Sequence, residues 1–150
     1  MIEIFVDGDA CPVKDEIYAV AARLGLAVVV VANQRLNVPR DLGVELVVVP
    51  EGPDAADDWI ADEVRANDVV VTADIPLAAR CLEVGAFVLG PDGREHTPDS
   101  IGGALATREI KSAIREAGGS TRGPAPLGPR ERSRFSNALD RVCQRALRPR

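Results

Sequence analysis

Ile2-Glu3-Ile4-Phe5-Val6-Asp7-Gly8-Asp9-Ala10-Cys11-Pro12-Val13-Lys14 is the stretch whose reading decides the fold. Ile2 to Val6 is a short apolar run of the kind that forms a buried strand. Asp7-Gly8-Asp9 then turns the chain, and Pro12 stands where a helix can begin, because its missing N–H costs nothing in a first turn. Strand, acidic loop and helix in this order open a βαβ unit. Working outward, Ile17, Val20, Ala21 and Leu24 recur at helical spacing, Gly25 ends the pattern, and Ala27 to Val31 reads as a second strand.

The same rhythm continues. A connection containing Asn33, Arg35 and Pro39 leads to a third strand, Glu45 to Val49, and Pro50, Gly52 and Pro53 mark a turn. The spacing predicts a helix from Asp54 to about Ala66, a strand over Asp68 to Thr72, a helix from about Pro76 to Val84 and a strand over Ala86 to Leu89. Residues 91–98 are turn-rich. Asp99 to Ala117 reads as a helix with Ile101, Leu105 and Ile110 as packing points, Gly118 and Gly119 stop it, and Arg130 to Leu147 is helical through Phe135, Leu139 and Val142. Buried strands alternating with helices imply right-handed crossovers and a mostly parallel sheet covered on both faces, a three-layer α/β/α domain with a C-terminal helical extension.

Composition supports this. The chain has 150 residues, the size of one domain, and its 46% hydrophobic content can fill a single core. Only 3% is aromatic, so that core is built from Val, Ile, Leu and Ala, as parallel strands require. The longest apolar run, Leu26 to Ala32, is far short of the roughly 20 residues that span a bilayer, so no membrane association is expected. With no basic, apolar leader at the N-terminus, the expected location is the cytoplasm. Cys11, Cys81 and Cys143 are too scattered for a disulfide framework or a zinc site and read as reduced thiols.

Charge divides the chain in two. Residues 1–107, the α/β body, carry 7 basic and 19 acidic side chains, whereas residues 108–150, a basic helical appendage, carry 11 and 4. An acidic body with a basic tail fits a cation site beside a phosphate-binding arm, and equally fits a tail that packs on its own body.

The carboxylates are placed by the strands. Asp7 and Asp9 follow the first strand, Asp54, Asp57 and Asp58 the third, and Asp74 the fourth. In one parallel sheet these ends share an edge, where ligands collect and where clustered negative charge calls for a cation. All-oxygen ligation suits Mg²⁺ or Mn²⁺. Asp57 shares a helical stripe with Ile60, Ala61 and Val64 and should face the sheet; Asp58 lies about 100° round the helix, and Asp54 is placed to cap it. The candidate metal ligands are therefore Asp7, Asp9, Asp57, Asp58 and Asp74, with Asp7, Asp9, Asp57 and Asp74 as the catalytic set. Such a cation acidifies water and polarises a phosphoryl oxygen, so phosphodiester hydrolysis is the reaction class, with nucleic acid as the partner. Lys14, at a helix start, and Arg35, after the second strand, are candidate phosphate contacts against a reading as solvated surface cations. His96, the one histidine, lies in a turn-rich segment and reads as a surface residue.

Val6-Asp7-Gly8-Asp9-Ala10-Cys11-Pro12-Val13-Lys14, Gly52-Pro53-Asp54-Ala55-Ala56-Asp57-Asp58-Trp59-Ile60 and Thr72-Ala73-Asp74-Ile75-Pro76-Leu77-Ala78 resemble the bacterial YaiI/YqxD family. The resemblance continues through Thr121-Arg122-Gly123-Pro124-Ala125-Pro126 and from Arg132 to Asp140. It implies a PIN-like domain, a fold associated with metal-dependent RNA cleavage, and a role for the matched Asp7, Asp9, Asp57 or Asp58, and Asp74. Two other functions compete. Asp7-Gly8-Asp9 also resembles the nucleophile and acid pair of haloacid-dehalogenase-type phosphatases, although no lysine lies between Lys14 and Lys111 to meet the phosphate. A non-catalytic RNA-binding or regulatory module would keep the sheet and the basic tail without hydrolysis. Oligomeric state stays open, a homo-oligomer included.

Overall fold

The computed structural model describes residues 2–52, 54–116 and 127–148. Six strands form one sheet: β1 (Glu3–Asp7), β2 (Ala27–Ala32), β3 (Val44–Val48), β4 (Val69–Val71), β5 (Phe87–Leu89) and β6 (Glu95–His96). Their order is β3-β2-β1-β4-β5-β6, parallel throughout except for β6, which pairs antiparallel with β5. Five helices accompany them: α1 (Lys14–Leu24), α2 (Ala55–Glu63), α3 (Ile75–Glu83), α4 (Ile101–Glu116) and α5 (Pro129–Leu147). No described helix is long and apolar enough to cross a membrane.

Strand alternation splits the core into two layers. Ile4, Val6, Val28, Val30, Val69 and Val71 point to one face, where Ile17 and Val20 of α1 and Phe135, Leu139 and Val142 of α5 cover them. Phe5, Val29, Val31, Val70 and Val88 point to the other, against Ile60 of α2 and Leu77 of α3. The C-terminal helix thus supplies part of the core, and Phe135 and Leu139 are fully buried. It lies alongside α1 in the same direction: Arg132 pairs with Glu16 near their starts and Arg23 with Asp140 further on. Because α1 leaves the C-terminal end of β1, the N-termini of α1 and α5 open at the same sheet edge as those of α2 and α3, which follow β3 and β4.

Helix ends follow their local chemistry. Gly25 closes α1 at φ 69°, a left-handed conformation that its missing Cβ permits, and its N–H reaches back to the last turn. Cys11, Cys81 and Cys143 are buried and free, and burial pushes the thiols of Cys81 and Cys143 up to about 12, so they behave as small apolar groups.

Two expectations shift. Residues 91–98 contain β6, whose two residues were too few for a periodic signal, and the turn before it is closed by the Gly90 N–H donating to the Arg94 carbonyl at 2.8 Å. Ile110 is not a packing point: it is 62% exposed, because only the beginning of α4, at Ile101, packs against the core. Between β2 and β3 the expected connection holds a 3-10 turn at Arg40–Leu42 and no α-helix, which leaves the edge strand partly uncovered and Val48 52% exposed. Gly118 and Gly119, read as the helix stop, the Thr121–Pro126 motif and Pro53 lie outside the described residues.

At the other end of the sheet, buried Asp68 ties β1 to β4 by accepting hydrogen bonds from the Glu3 and Arg65 N–H groups, both at 2.9 Å. Asp68→Ala strands two donors in a partly buried position. It should lower unfolding stability in urea by about 2–3 kcal/mol, with Asp68→Asn losing less.

Candidate active site at the carboxylate edge

Strand order reverses between β1 and β4, the place where open α/β sheets hold their ligands beyond the strand ends. Asp7 is the last residue of β1, and Thr72 directly follows β4. The buried Thr72 hydroxyl donates to Asp7 Oδ2 at 3.1 Å and accepts from the Asp74 N–H at 3.0 Å, so one side chain spans the reversal and sets both acids. Asp74 is the N-cap of α3: its Oδ1 accepts from the Leu77 N–H at 2.9 Å, and Pro76 follows where the helix needs no donor.

By strand alternation Asp7 belongs to the same face as Phe5, the face covered by α2 and α3. Asp57, in the first turn of α2, is half-buried there. Burial pushes its carboxyl up to about 6, helped by the charges of Asp74 and Asp7 and by a hydrogen bond with Asp74. Asp7 is also raised, first by burial and then by Asp74 and Asp9, against the lowering effect of the Thr72 hydroxyl. Asp7, Asp57 and Asp74, from three separate elements, therefore form one electrostatically coupled group.

The remaining candidates lie around it. Asp9 is exposed, and its Oδ2 accepts from the Asn33 N–H at 2.7 Å, pinning the acidic turn to the end of β2. This close approach needs Gly8, where a Cβ would come within 2.6 Å of Val30 Cγ1. Asp58 points away into an ion pair with Arg80 at 2.8 Å, its side chain 60% exposed. Asp54 occupies the N-cap position of α2 without making a side-chain cap bond, and lies close enough to raise Asp57 further. Lys14 Nζ folds back onto the Cys11 carbonyl at 3.0 Å. Arg35 is drawn off toward β3, lining a groove with Arg40 and Glu45, while His96 sits half-buried on β6. Thr72 and Asn33 are the residues to which sequence reasoning gave no site role, since neither carries a charge and the contacts that matter are made only in the fold.

Among the described residues, no three His, Cys, Asp or Glu side chains close around a common point as in a metal cage. The donors are nonetheless hard carboxylate oxygens in mutual repulsion. That set suits an ion such as Mg²⁺, which takes one or two protein carboxylates and keeps water in its other positions. Asp7 and Asp74, joined through Thr72, are the residues that would hold it, with Asp57 beside them.

The raised Asp57 carboxyl has a consequence for stability. Its folded value lies above the ordinary aspartate value of 3.8, so the folded state binds the proton more tightly, and stability falls as pH rises from about 4 to about 6. Asp57→Asn should remove that fall and make the protein more stable than wild type at pH 7 by about 1 kcal/mol, allowing for solvent screening of a half-exposed group. Urea unfolding at pH 4 and pH 7 measures it; an equal difference at both values would contradict the assignment.

A family described as "Uncharacterized BCR, YaiI/YqxD family" matches residues 5–145. The chain is 55% identical over 147 residues to a UPF0178 protein of Azorhizobium caulinodans, covering 98% of this chain and 92% of that protein. It is 52% identical to a UPF0178 protein of Paramagnetospirillum magneticum, covering 99% and 98%, and 56% identical to one of Brucella ovis, covering 97% and 91%. No solved structure matches. With the match running from β1 to the last turns of α5, the chain belongs to the YaiI/YqxD family.

Proposed function

We propose that this protein is a divalent-metal-dependent nuclease that hydrolyses phosphodiester bonds, with RNA as its substrate class. The observation that carries the reading is the convergence of Asp7, Asp57 and Asp74 from three elements at the strand reversal, where burial and the neighbouring acids raise the carboxyls of Asp7 and Asp57. Surface acids placed only to cap helices would not need to face each other. When bound, Mg²⁺ or Mn²⁺ supplies charge that acidifies water and polarises a phosphoryl oxygen.

The chain's own residues do the rest. Thr72 holds Asp7 through its hydroxyl, and the Leu77 N–H holds Asp74, so both carboxylates are oriented before a ligand arrives. Asp57, whose carboxyl is pushed up to about 6, takes the proton of the attacking water. Asp9, held on the Asn33 N–H, extends the negative rim, and the exposed Asp58 is spoken for by Arg80. The N-termini of α1, α2, α3 and α5 lend positive potential to the same edge, which favours both ionised carboxylates and an incoming phosphate.

One observation favours a second reading, a non-catalytic RNA-binding module: among the described residues the acids do not close into a three-ligand set. Calorimetric titration of Mn²⁺ into wild type, Asp7→Asn and Asp74→Asn, followed by incubation with a mixed single-stranded RNA pool, separates the two. The nuclease reading expects wild type to bind and cleave, and both variants to lose at least about tenfold in affinity together with cleavage. A wild type that binds no Mn²⁺ and cuts nothing would give the field to the binding module.

A further inference from the structure

The coupled acids leave unexplained the basic C-terminal segment of the chain, and its arginines are not scattered. Arg130, Arg134, Arg141 and Arg145 of α5, with Arg148 at its C-cap, fall within a sector of about 60° at 100° per residue and extend over about 27 Å of helix. All five are exposed. The buried face of α5, centred on Phe135, Leu139 and Val142, is turned well away from this row. The arrangement is a continuous ridge of positive charge on a helix fixed to the core.

Self-neutralisation accounts for little of it. Among the described residues only Arg145 of the five has a carboxylate partner, Glu95 of β6, and its guanidinium also lies 5.3 Å from the Phe87 ring centroid. Asp140, on the same helix, is taken by Arg23 of α1. Asp92, in the turn before β6, caps the Arg94 N–H at 2.9 Å. Beside the row runs an open groove of about 310 Å³ between α5 and the β5–β6 turn, with Leu89, Gly93 and Glu95 on one wall and Ala138, Arg141 and Arg145 on the other.

The direction of α5 matters too. Its start is fastened to the start of α1, where Arg132 donates to the Pro12 carbonyl at 3.1 Å and to Glu16 at 2.7 Å, so the ridge begins at the carboxylate edge. At Gly93, Arg134 lies against the turn that follows β5.

We propose that this arginine face is a track for the phosphate backbone of a single-stranded nucleic acid, leading the strand along the groove to the acidic edge. The proposal rests on the nuclease reading for its purpose but not for its test. Guanidinium groups pair bidentately with phosphate oxygens. The row is a single line of guanidinium groups beside a groove of about 310 Å³, which one strand's backbone can follow and which is too small to admit a duplex. With a 3% aromatic content there is little to stack on bases, so the track reads charge rather than sequence.

Fluorescence anisotropy with a labelled single-stranded RNA, in EDTA so that neither cation nor cleavage intervenes, tests the track directly. Arg134→Gln/Arg141→Gln should weaken binding at least about tenfold near 0.1 M salt and reduce the slope of log K against log salt by about 1.4, two phosphate contacts at about 0.7 each. Arg108→Gln, an equally exposed charge change on α4, should leave both unchanged, and thermal melts establish that each variant is folded. The same strand as DNA distinguishes the source of the phosphates: equal binding assigns a backbone track common to both, and a preference for either names the strand it serves. Undiminished RNA binding by the double variant, no binding by wild type, or binding of duplex alone would overturn the proposal. Loss of binding in the double variant, beside a wild type that never cuts RNA with Mn²⁺, would uphold the track and sink the nuclease.

Discussion

Parallel pairing of β1 with β4 is the constraint on which the site depends. It puts Asp7 and Thr72 side by side at the point where the strand order reverses, and Thr72 then carries the register into α3 through the Asp74 N–H. Neither acid is held by a long flexible arm. Asp7 is fixed by strand pairing and Asp74 by its duty as an N-cap, so their closeness is a property of the backbone. The buried Asp68, at the far end of the same pair of strands, fastens them from below.

Much of this was legible because it follows from periodicity. The alternation Ile4, Phe5, Val6 and the helical recurrence of Ile17, Val20 and Ala21 each report burial on one face, and the strand ends then locate the acids without further information. Phe135, Leu139 and Val142 likewise mark the buried stripe of α5. Legibility ends where structure rests on a few residues or a single contact. Glu95 and His96 become a strand only because β5 lies beside them, and the short helical stripe containing Ile110 continues past the neighbour that buries its beginning.

The acids show the same boundary. Their placement at strand ends is readable, and helical phase favoured Asp57 while Asp58 stayed among the candidate ligands, but the partner that draws Asp58 away, Arg80, is 22 residues further along the chain. Thr72 was hidden for a different reason: a threonine at the end of a strand is ordinary, and its importance lies in two hydrogen bonds made to residues brought together by the fold. Lys14 and Arg35 illustrate the converse, since a position at a helix start or after a strand end did not decide where their long side chains would lie.

The common starting edge of α1, α2, α3 and α5 bears on how this surface can change over time. Positive potential at a helix start comes from peptide N–H groups, which every residue but proline carries. No side-chain exchange that preserves the helices can remove it. Individual surface cations can therefore drift among relatives while the edge keeps its attraction for anions, and divergence is freer along the flanks of these helices than in the turns that begin them.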